Sequence, residues 1–230
     1  MTAEQPGRPT VCALLPAGAP LESALSEAGA RPDHTVSADG AADDGLRRAV
    51  ETDCDWLWML EPTTRPRAGS LDAFIAALDR ARGLAAPTLL ASVVLDGDDE
   101  VDAPRSAWYR RNQIDLAMTS SPRRLLPIRA AAGPLLVRRD AAAQAPPLRE
   151  LSAAGLLEWT AWILRDRTGY LVPGSEASAV TRVADPLGSP SVAARLVFGG
   201  SLARFDRVRA AREFLERAAE RSVRGRAKAG

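Results

Sequence analysis

The feature that most limits how this chain can fold is the run Trp56-Leu57-Trp58-Met59-Leu60, five consecutive apolar residues fenced by Asp55 on one side and Glu61-Pro62 on the other. A strand with one wet face alternates apolar and polar residues, whereas an unbroken apolar run fits a strand buried on both faces. Such a strand belongs at the centre of a sheet covered by helices. Two further segments have the same character. Val11-Cys12-Ala13-Leu14-Leu15 stops at Pro16-Ala17-Gly18, and the run from Thr88 to Leu95 stops at Asp96-Gly97-Asp98-Asp99. Both stops are made of turn-forming residues.

Helical segments fall between these strands. Leu21 to Ala28 follows the first, and His34-Thr35-Val36-Ser37 supplies a second strand. Asp43 or Asp44 is placed to cap a helix running through Val50. Ser70 reads as the N-cap of a helix in which Leu71, Phe74, Ile75 and Leu78 share one face and which ends near Gly83. Farther on, Leu135-Leu136-Val137 and Tyr170-Leu171-Val172 read as short strands around a helix from about Leu151 to Asp166. This alternation predicts a single α/β domain with a mostly parallel central sheet flanked by helices. At 230 residues, one core accounts for the chain.

Composition removes several classes of function. Although 46% of the residues are hydrophobic, they form no uninterrupted run of about 18, so neither a membrane span nor a signal peptide is expected. A cytoplasmic protein is the resulting expectation. Cys12 and Cys54 are far apart in the chain and read as small buried hydrophobes rather than a disulfide framework. With His34 the lone histidine, a His/Cys zinc site is excluded.

The net charge of +1 hides an asymmetry, because residues 33–102 carry fifteen acids against six bases and residues 103–203 seven against thirteen. Nearly all the bases are arginine, Lys228 being the sole lysine. Guanidinium groups suit phosphates, although arginine with abundant Ala, Gly and Pro also follows from a GC-rich genome. Arginine unaccompanied by any recognition motif gives no expectation of nucleic-acid binding. Near the C-terminus Phe205, Val208, Ala211, Leu215 and Ala218 form an apolar stripe on an arginine-rich helix. Such a stripe docks on its own domain, contacts a second copy or another protein, or lies on the anionic inner face of a membrane.

The run from Asp55 through Leu71 resembles the centre of family 2 glycosyltransferases, especially their rhamnosyl- and galactofuranosyltransferase-like branch. There an apolar strand enters an acidic Asp-x-Asp-type motif, followed by a Pro-containing turn and a helix that begins near a Leu. Ala131 to Asp140 is similar to the family's small-residue, apolar, Arg-Arg segment. Leu157-Glu158-Trp159 through Arg165, with Gly169-Tyr170-Leu171-Val172-Pro173 behind it, resembles the late catalytic helix and its strand. The resemblance implies a GT-A-like nucleotide-diphospho-sugar transferase fold over residues 1–200, with residues 201–230 as an amphipathic helix and basic tail. It also implies a nucleotide-sugar donor over the C-terminal ends of the first parallel strands, where open α/β sheets generally bind ligands.

The chemistry implied by the family meets a depleted set of residues. Its donor-metal motif corresponds to Glu61-Pro62-Thr63-Thr64, which keeps one carboxylate. Two readings stand open: Glu61 with Thr63 or Thr64 holds a weak hydrated Mg²⁺ or Mn²⁺, or Arg65 or Arg67 neutralises a diphosphate without an ion. Asp39-Gly40 resembles the family's turn against base or ribose and equally fits an ordinary turn. Trp108-Tyr109 with Arg110 and Arg111 offers a stacking surface and cations, or else packs inward with solvated arginines. Glu158 is the candidate general base, with an arginine-paired helix carboxylate as its alternative. The acid pair expected just before it is replaced by Gly155-Leu156-Leu157, and the late histidine has no counterpart in Ser175 to Val183.

Two acidic decoys are set aside. Asp53-Cys54-Asp55 enters a strand, at the end away from a ligand crevice, and reads as turn residues; Asp96 to Asp102 lacks the spacing of a calcium loop. Two functions follow: sugar transfer from a nucleotide-diphosphate sugar, if the site is active, or a catalytically inactive homologue acting as a binding or regulatory protein.

Overall fold

The unbroken apolar runs become strands because both of their faces are covered. In the computed structural model, residues 8–18, 21–102, 124–181 and 190–198 are described. In chain order they form β1 (Val11–Pro16), α1 (Leu21–Glu27), β2 (His34–Ala38), α2 (Ala42–Glu51), β3 (Trp56–Met59), β4 (Thr64–Pro66), α3 (Ser70–Arg80) and β5 (Leu89–Leu95). There follow β6 (Leu126–Ile128), β7 (Leu135–Arg138), α4 (Arg139–Ala143), α5 (Ala153–Ile163), β8 (Gly169–Ala179) and α6 (Pro190–Phe198).

The eight strands make one sheet in the order β2-β1-β3-β7-β5-β8-β4, with β6 also on β8. Strands β1, β2 and β3 are mutually parallel, β7 runs against β3 and β5, and β5 is parallel to β8. Five strands therefore share one direction, while β4, β6 and β7 oppose it. The sheet is mixed, and the parallel character expected from the sequence belongs to those five. The free side of β8 is divided, β6 lying opposite Gly169–Leu171 and β4 opposite Ala177–Ala179. A register shift between Ser92 and Val93 bends the β5–β8 ladder between these two halves.

Alternate residues of each strand feed opposite cores. One core joins Cys12, Leu14, Leu57, Met59 and Val137 to Leu46 and Ala49 of α2 and to Leu156, Trp159 and Ile163 of α5. The other joins Ala13, Trp56, Trp58, Leu60 and Leu136 to Leu71, Phe74 and Ala77 of α3. α6 adds Val192 and Leu196 against Leu157 and Ala161 of α5. Gly45 lets α2 approach β2 closely, since a Cβ there would stand 2.7 Å from the Ala38 Cβ.

Two helix starts differ from expectation. Residue Ala41 is the N-cap of α2 and makes no side-chain cap, so Asp43 and Asp44 lie inside the first turn, where acids still favour the helix dipole. Asp43 is drawn away from capping by Arg47 and by the Leu148 amide, which donates to its Oδ1 at 3.0 Å. Gly69, with φ of 76°, caps α3, and Ser70 is instead the first helical residue, its hydroxyl donating to the Arg67 carbonyl at 2.5 Å. No helix among the described residues is long and apolar enough to cross a membrane. The stripe from Phe205 to Ala218 and the tail lie outside the described residues.

Candidate functional site

Strand direction decides which residues can share a crevice. Pro16 lies opposite Ala38, and Leu14 opposite Met59. Ala17-Gly18, Asp39-Gly40 and Leu60-Glu61 therefore leave the sheet at one edge, the edge where parallel α/β sheets bind ligands. Strand β7 begins at the same edge, since Leu135 opposes Met59. The Asp39 and Glu61 positions are thus brought together at one edge, on the two strands that flank β1.

At the first of these positions Asp39 is exposed and its Oδ1 accepts from the Ser37 hydroxyl at 2.7 Å. Gly40 follows with φ of 120°, a conformation that L side chains rarely adopt, and no atom crowds the place of its missing Cβ. The turn is open to a ligand, and the aspartate keeps a second oxygen beyond the Ser37 contact.

Glu61 is in a different state. It is 1% exposed, and the Thr63 hydroxyl lies 2.6 Å and 2.7 Å from its two carboxylate oxygens. The Thr64 hydroxyl donates to the Glu61 carbonyl at 3.1 Å. This tight turn exists because Thr64–Pro66 pairs with Ala177–Ala179 and the Val180 amide donates to the Thr63 carbonyl at 2.8 Å, pinning the segment over the acid. Arg65 is exposed, between buried Thr64 and Pro66. Arg67 is committed elsewhere: it donates to Ser178 Oγ at 2.8 Å, pairs with Asp99 and lies 3.6 Å from Glu176.

The fold family implies a divalent ion at this position, and the residues present do not fit one. Mg²⁺ and Mn²⁺ favour carboxylate oxygens in an open, hydrated site. Here the lone carboxylate of the motif is buried and already solvated by Thr63. No group of three or more potential ligands among His, Cys, Asp and Glu occurs among the described residues.

Glu158 sits on α5 and lines a cavity of about 370 Å³ together with Pro146, Glu150, Trp159, Trp162 and Arg195 among others. Neither Glu61 nor any of residues Thr63 to Arg65 lines it. Arg195 of α6 clasps Glu158 in a fork, its Nε lying 2.8 Å and 2.9 Å from the two oxygens and its terminal nitrogen 2.5 Å from the first. The hydrogen bond that Arg195 donates to Glu158 holds its guanidinium above its ordinary pKa. The arginine-paired alternative describes the geometry of Glu158, whose two oxygens are both occupied by Arg195.

The decoys also resolve. Asp55 accepts from the Thr10 amide at 2.9 Å and hydroxyl at 3.0 Å at the opposite edge of the sheet. Asp96 Oδ1 accepts from the amides of Asp98 and Glu100, both at 3.0 Å, closing its loop on itself. Trp108, Tyr109, Arg110 and Arg111 lie outside the described residues. Sequence reasoning missed the Glu61–Thr63 latch, whose two-residue spacing was the available signal, and, while it offered an arginine-paired Glu158, it did not name Arg195, for which separation in the chain left no signal.

No protein-family model and no curated protein matches the chain. Solved structures do. The crystal structure of S. aureus TarS 1-349 is 10% identical with a TM-score of 0.51, over 90% of this chain and 70% of that one. The crystal structure of GalNAc-T7 with UDP, GalNAc and Mn²⁺ is 10% identical with a TM-score of 0.52, over 84% of this chain and 47% of that one. This fold is GT-A-like. The chain spans about half the length of GalNAc-T7, and at such identities the likeness extends to the fold alone. A197 from STIV has a TM-score of 0.50 at 11% identity, over 75% of this chain and 86% of that one.

Proposed function

We propose that this is a glycosyltransferase-like protein that binds a nucleotide-diphosphate sugar at the edge carrying Asp39-Gly40 and Glu61 to Arg65. The observation that carries the reading is the emergence of these two turns on strands flanking β1, in a GT-A-like fold. In the proposed pose Asp39 accepts from ribose or base, Gly40 allows close backbone approach, and exposed Arg65 faces the diphosphate. Glu61, Thr63 and Thr64 shape the floor of the site through their own hydrogen bonds. The rhamnosyl- and galactofuranosyltransferase-like branch supplies the proposed donor class, read from the Asp55–Leu71 framing.

Two observations favour the binding or regulatory form of this function over sugar transfer. Departure of a nucleoside diphosphate develops negative charge that a metal or cations must stabilise, and the Glu61 turn does not present a metal site. Transfer also needs a base near the acceptor hydroxyl, and Glu158 is clasped by Arg195. The chain then acts in the cytoplasm, with the stripe from Phe205 to Ala218 as its contact to a second copy, another protein or the inner membrane face.

The test is thermal unfolding of the full chain with UDP-, GDP- and dTDP-sugars at millimolar concentration, with and without Mg²⁺ or Mn²⁺. A ligand of the native state raises the melting temperature. The expected result is a metal-independent rise with at least one donor, abolished by Arg65→Ala, and no released nucleoside diphosphate. No rise with any donor sinks the binding reading, and turnover that requires metal sinks the non-catalytic one.

A further inference from the structure

One side of α5 carries a cleft that the nucleotide-sugar reading does not use. Gly155, Glu158, Trp159 and Trp162 recur at i, i+3, i+4 and i+7, which puts them on a common side of the helix. With the strap from Pro146 to Glu150 and with Arg195 of α6 they line the cavity of about 370 Å³, a volume within the range of small-ligand sites. Leu156 and Leu157, where the family's acid pair is expected, are buried in the hydrophobic cores instead. The cleft is therefore built from other residues than that motif.

Its walls are fixed before any ligand arrives. The Trp159 indole nitrogen donates to the Pro146 carbonyl at 3.0 Å, and the Leu148 amide donates to Asp43 Oδ1 at 3.0 Å, so the strap is held by both α5 and α2. Gly155 lets its last residue lie against the helix, since a Cβ there would stand 2.4 Å from the Glu150 carbonyl oxygen. Arg195 is held by its fork to Glu158, which uses Nε and one terminal nitrogen. The other terminal nitrogen keeps its N–H donors for a ligand. A site ordered in advance binds without the cost of ordering it.

The chemistry of the lining selects the ligand. Trp162 is 36% exposed and Trp159 is 4% exposed, so the first indole is open to a ligand while the second anchors the strap. Arg149 and Arg195 balance Glu150 and Glu158, which leaves the cleft without net charge. A diphosphate would meet two carboxylates and a cation two guanidinium groups, and like-charge contacts cost affinity. A wholly apolar ligand would take water from charged groups and return no hydrogen bond. A pyranose ring meets every requirement, with C–H bonds on one face, hydroxyls around its rim and no charge. We propose that this cleft binds a neutral saccharide, one ring stacked on Trp162 and its hydroxyls shared between Glu150 and Arg195, with Glu158 as the positioning residue of the arginine. The site shares no residue with Asp39-Gly40 or with Glu61 to Arg65, and it does not depend on the nucleotide-sugar reading.

The experiment is saturation-transfer NMR on the full chain with cellobiose, maltose, lactose and N,N′-diacetylchitobiose at millimolar concentration. At least one disaccharide is expected to receive saturation, strongest on the C–H protons of one ring face, with an affinity that added salt leaves unchanged. Trp162→Ala weakens binding about 10-fold, and Trp162→Phe, which keeps a stacking ring, recovers part of it. Glu150→Ala, at an exposed position, weakens it several-fold and serves as the second variant should Trp162→Ala unfold in urea more easily than wild type. Arg65→Ala leaves saccharide binding intact, and Trp162→Ala leaves any nucleotide-sugar thermal shift intact, so the two sites fail separately. Saturation of none of the four disaccharides overturns the proposal. So does binding that is equal in wild type, Trp162→Ala and Glu150→Ala, or a preference for charged glucuronate or glucosamine over glucose.

Discussion

Replacing Thr63 with Val tests whether Glu61 is a structural acid or a ligand. The substitution keeps the β-branched shape and removes the hydroxyl that lies 2.6 Å and 2.7 Å from the two Glu61 oxygens. A hydrogen bond to a charged group contributes about 1.5–3 kcal/mol, and losing it beneath 1% exposure leaves no water to replace it. Glu61 keeps a further interaction, which places the expected loss near the lower end, about 2 kcal/mol. For a chain of this size that corresponds to a fall in melting temperature of about 4–8 °C. The assay is urea and thermal unfolding followed by circular dichroism. Mg²⁺ or Mn²⁺ added to the wild type leaves the midpoint unchanged, since an ion that does not bind the native state cannot stabilise it. A Thr63→Val midpoint within about 0.5 kcal/mol of wild type, the range of ordinary surface substitutions, refutes the latch. A metal-dependent rise in the wild type refutes the misfit to a divalent ion.

Three further outcomes follow from the geometry. Gly45→Ala brings a Cβ to 2.7 Å and 2.9 Å from the Ala38 Cβ and Cα, and α2 must shift off β2 at a cost of about 1–3 kcal/mol in urea unfolding. Glu158→Gln costs less than about 1 kcal/mol, because Arg195 is 46% exposed and solvent screens the pair; a nucleotide-sugar thermal shift is unchanged, which a donor-site role would not allow. Stability measured by urea unfolding rises as pH increases from about 6 toward the ordinary thiol range. The sign follows from linkage: Cys54 has a folded pKa below its unfolded one, so its contribution is present above the unfolded value and lost as pH falls through the folded value. Cys12 has the opposite shift, so stability declines again at more alkaline pH, and Cys54→Ser removes the rise.

What was legible in the sequence was whatever depends on neighbours in the chain. Trp56 to Leu60 reads as a central strand because every residue in it needs an apolar partner, and β3 is buried throughout. Val11 to Leu15 and Leu89 to Leu95 were legible for the same reason. Strand β4 was not, because Thr64-Arg65-Pro66 has no strand pattern of its own and forms by pairing with Ala177–Ala179 across the whole domain. Strand β6, with Pro127 at its middle, is likewise held by β8 alone. The candidate site divides along the same line. That Asp39-Gly40 and Glu61 leave the sheet at one edge was legible, because strand ends and turns are local features. Its chemistry was not, because the state of each acid is set by a partner supplied from elsewhere: the β4–β8 pairing closes the Thr63 turn over Glu61, and Arg195 reaches Glu158 from 37 residues away. The acid that resemblance places in the donor-metal motif, Glu61, and the candidate base, Glu158, thus both carry hydrogen bonds within the fold. Glu61 accepts from a hydroxyl beneath a closed turn, where the bond is costly to lose, whereas Glu158 holds an arginine that water can also solvate, so the two carboxylates differ in weight though both are engaged within the fold.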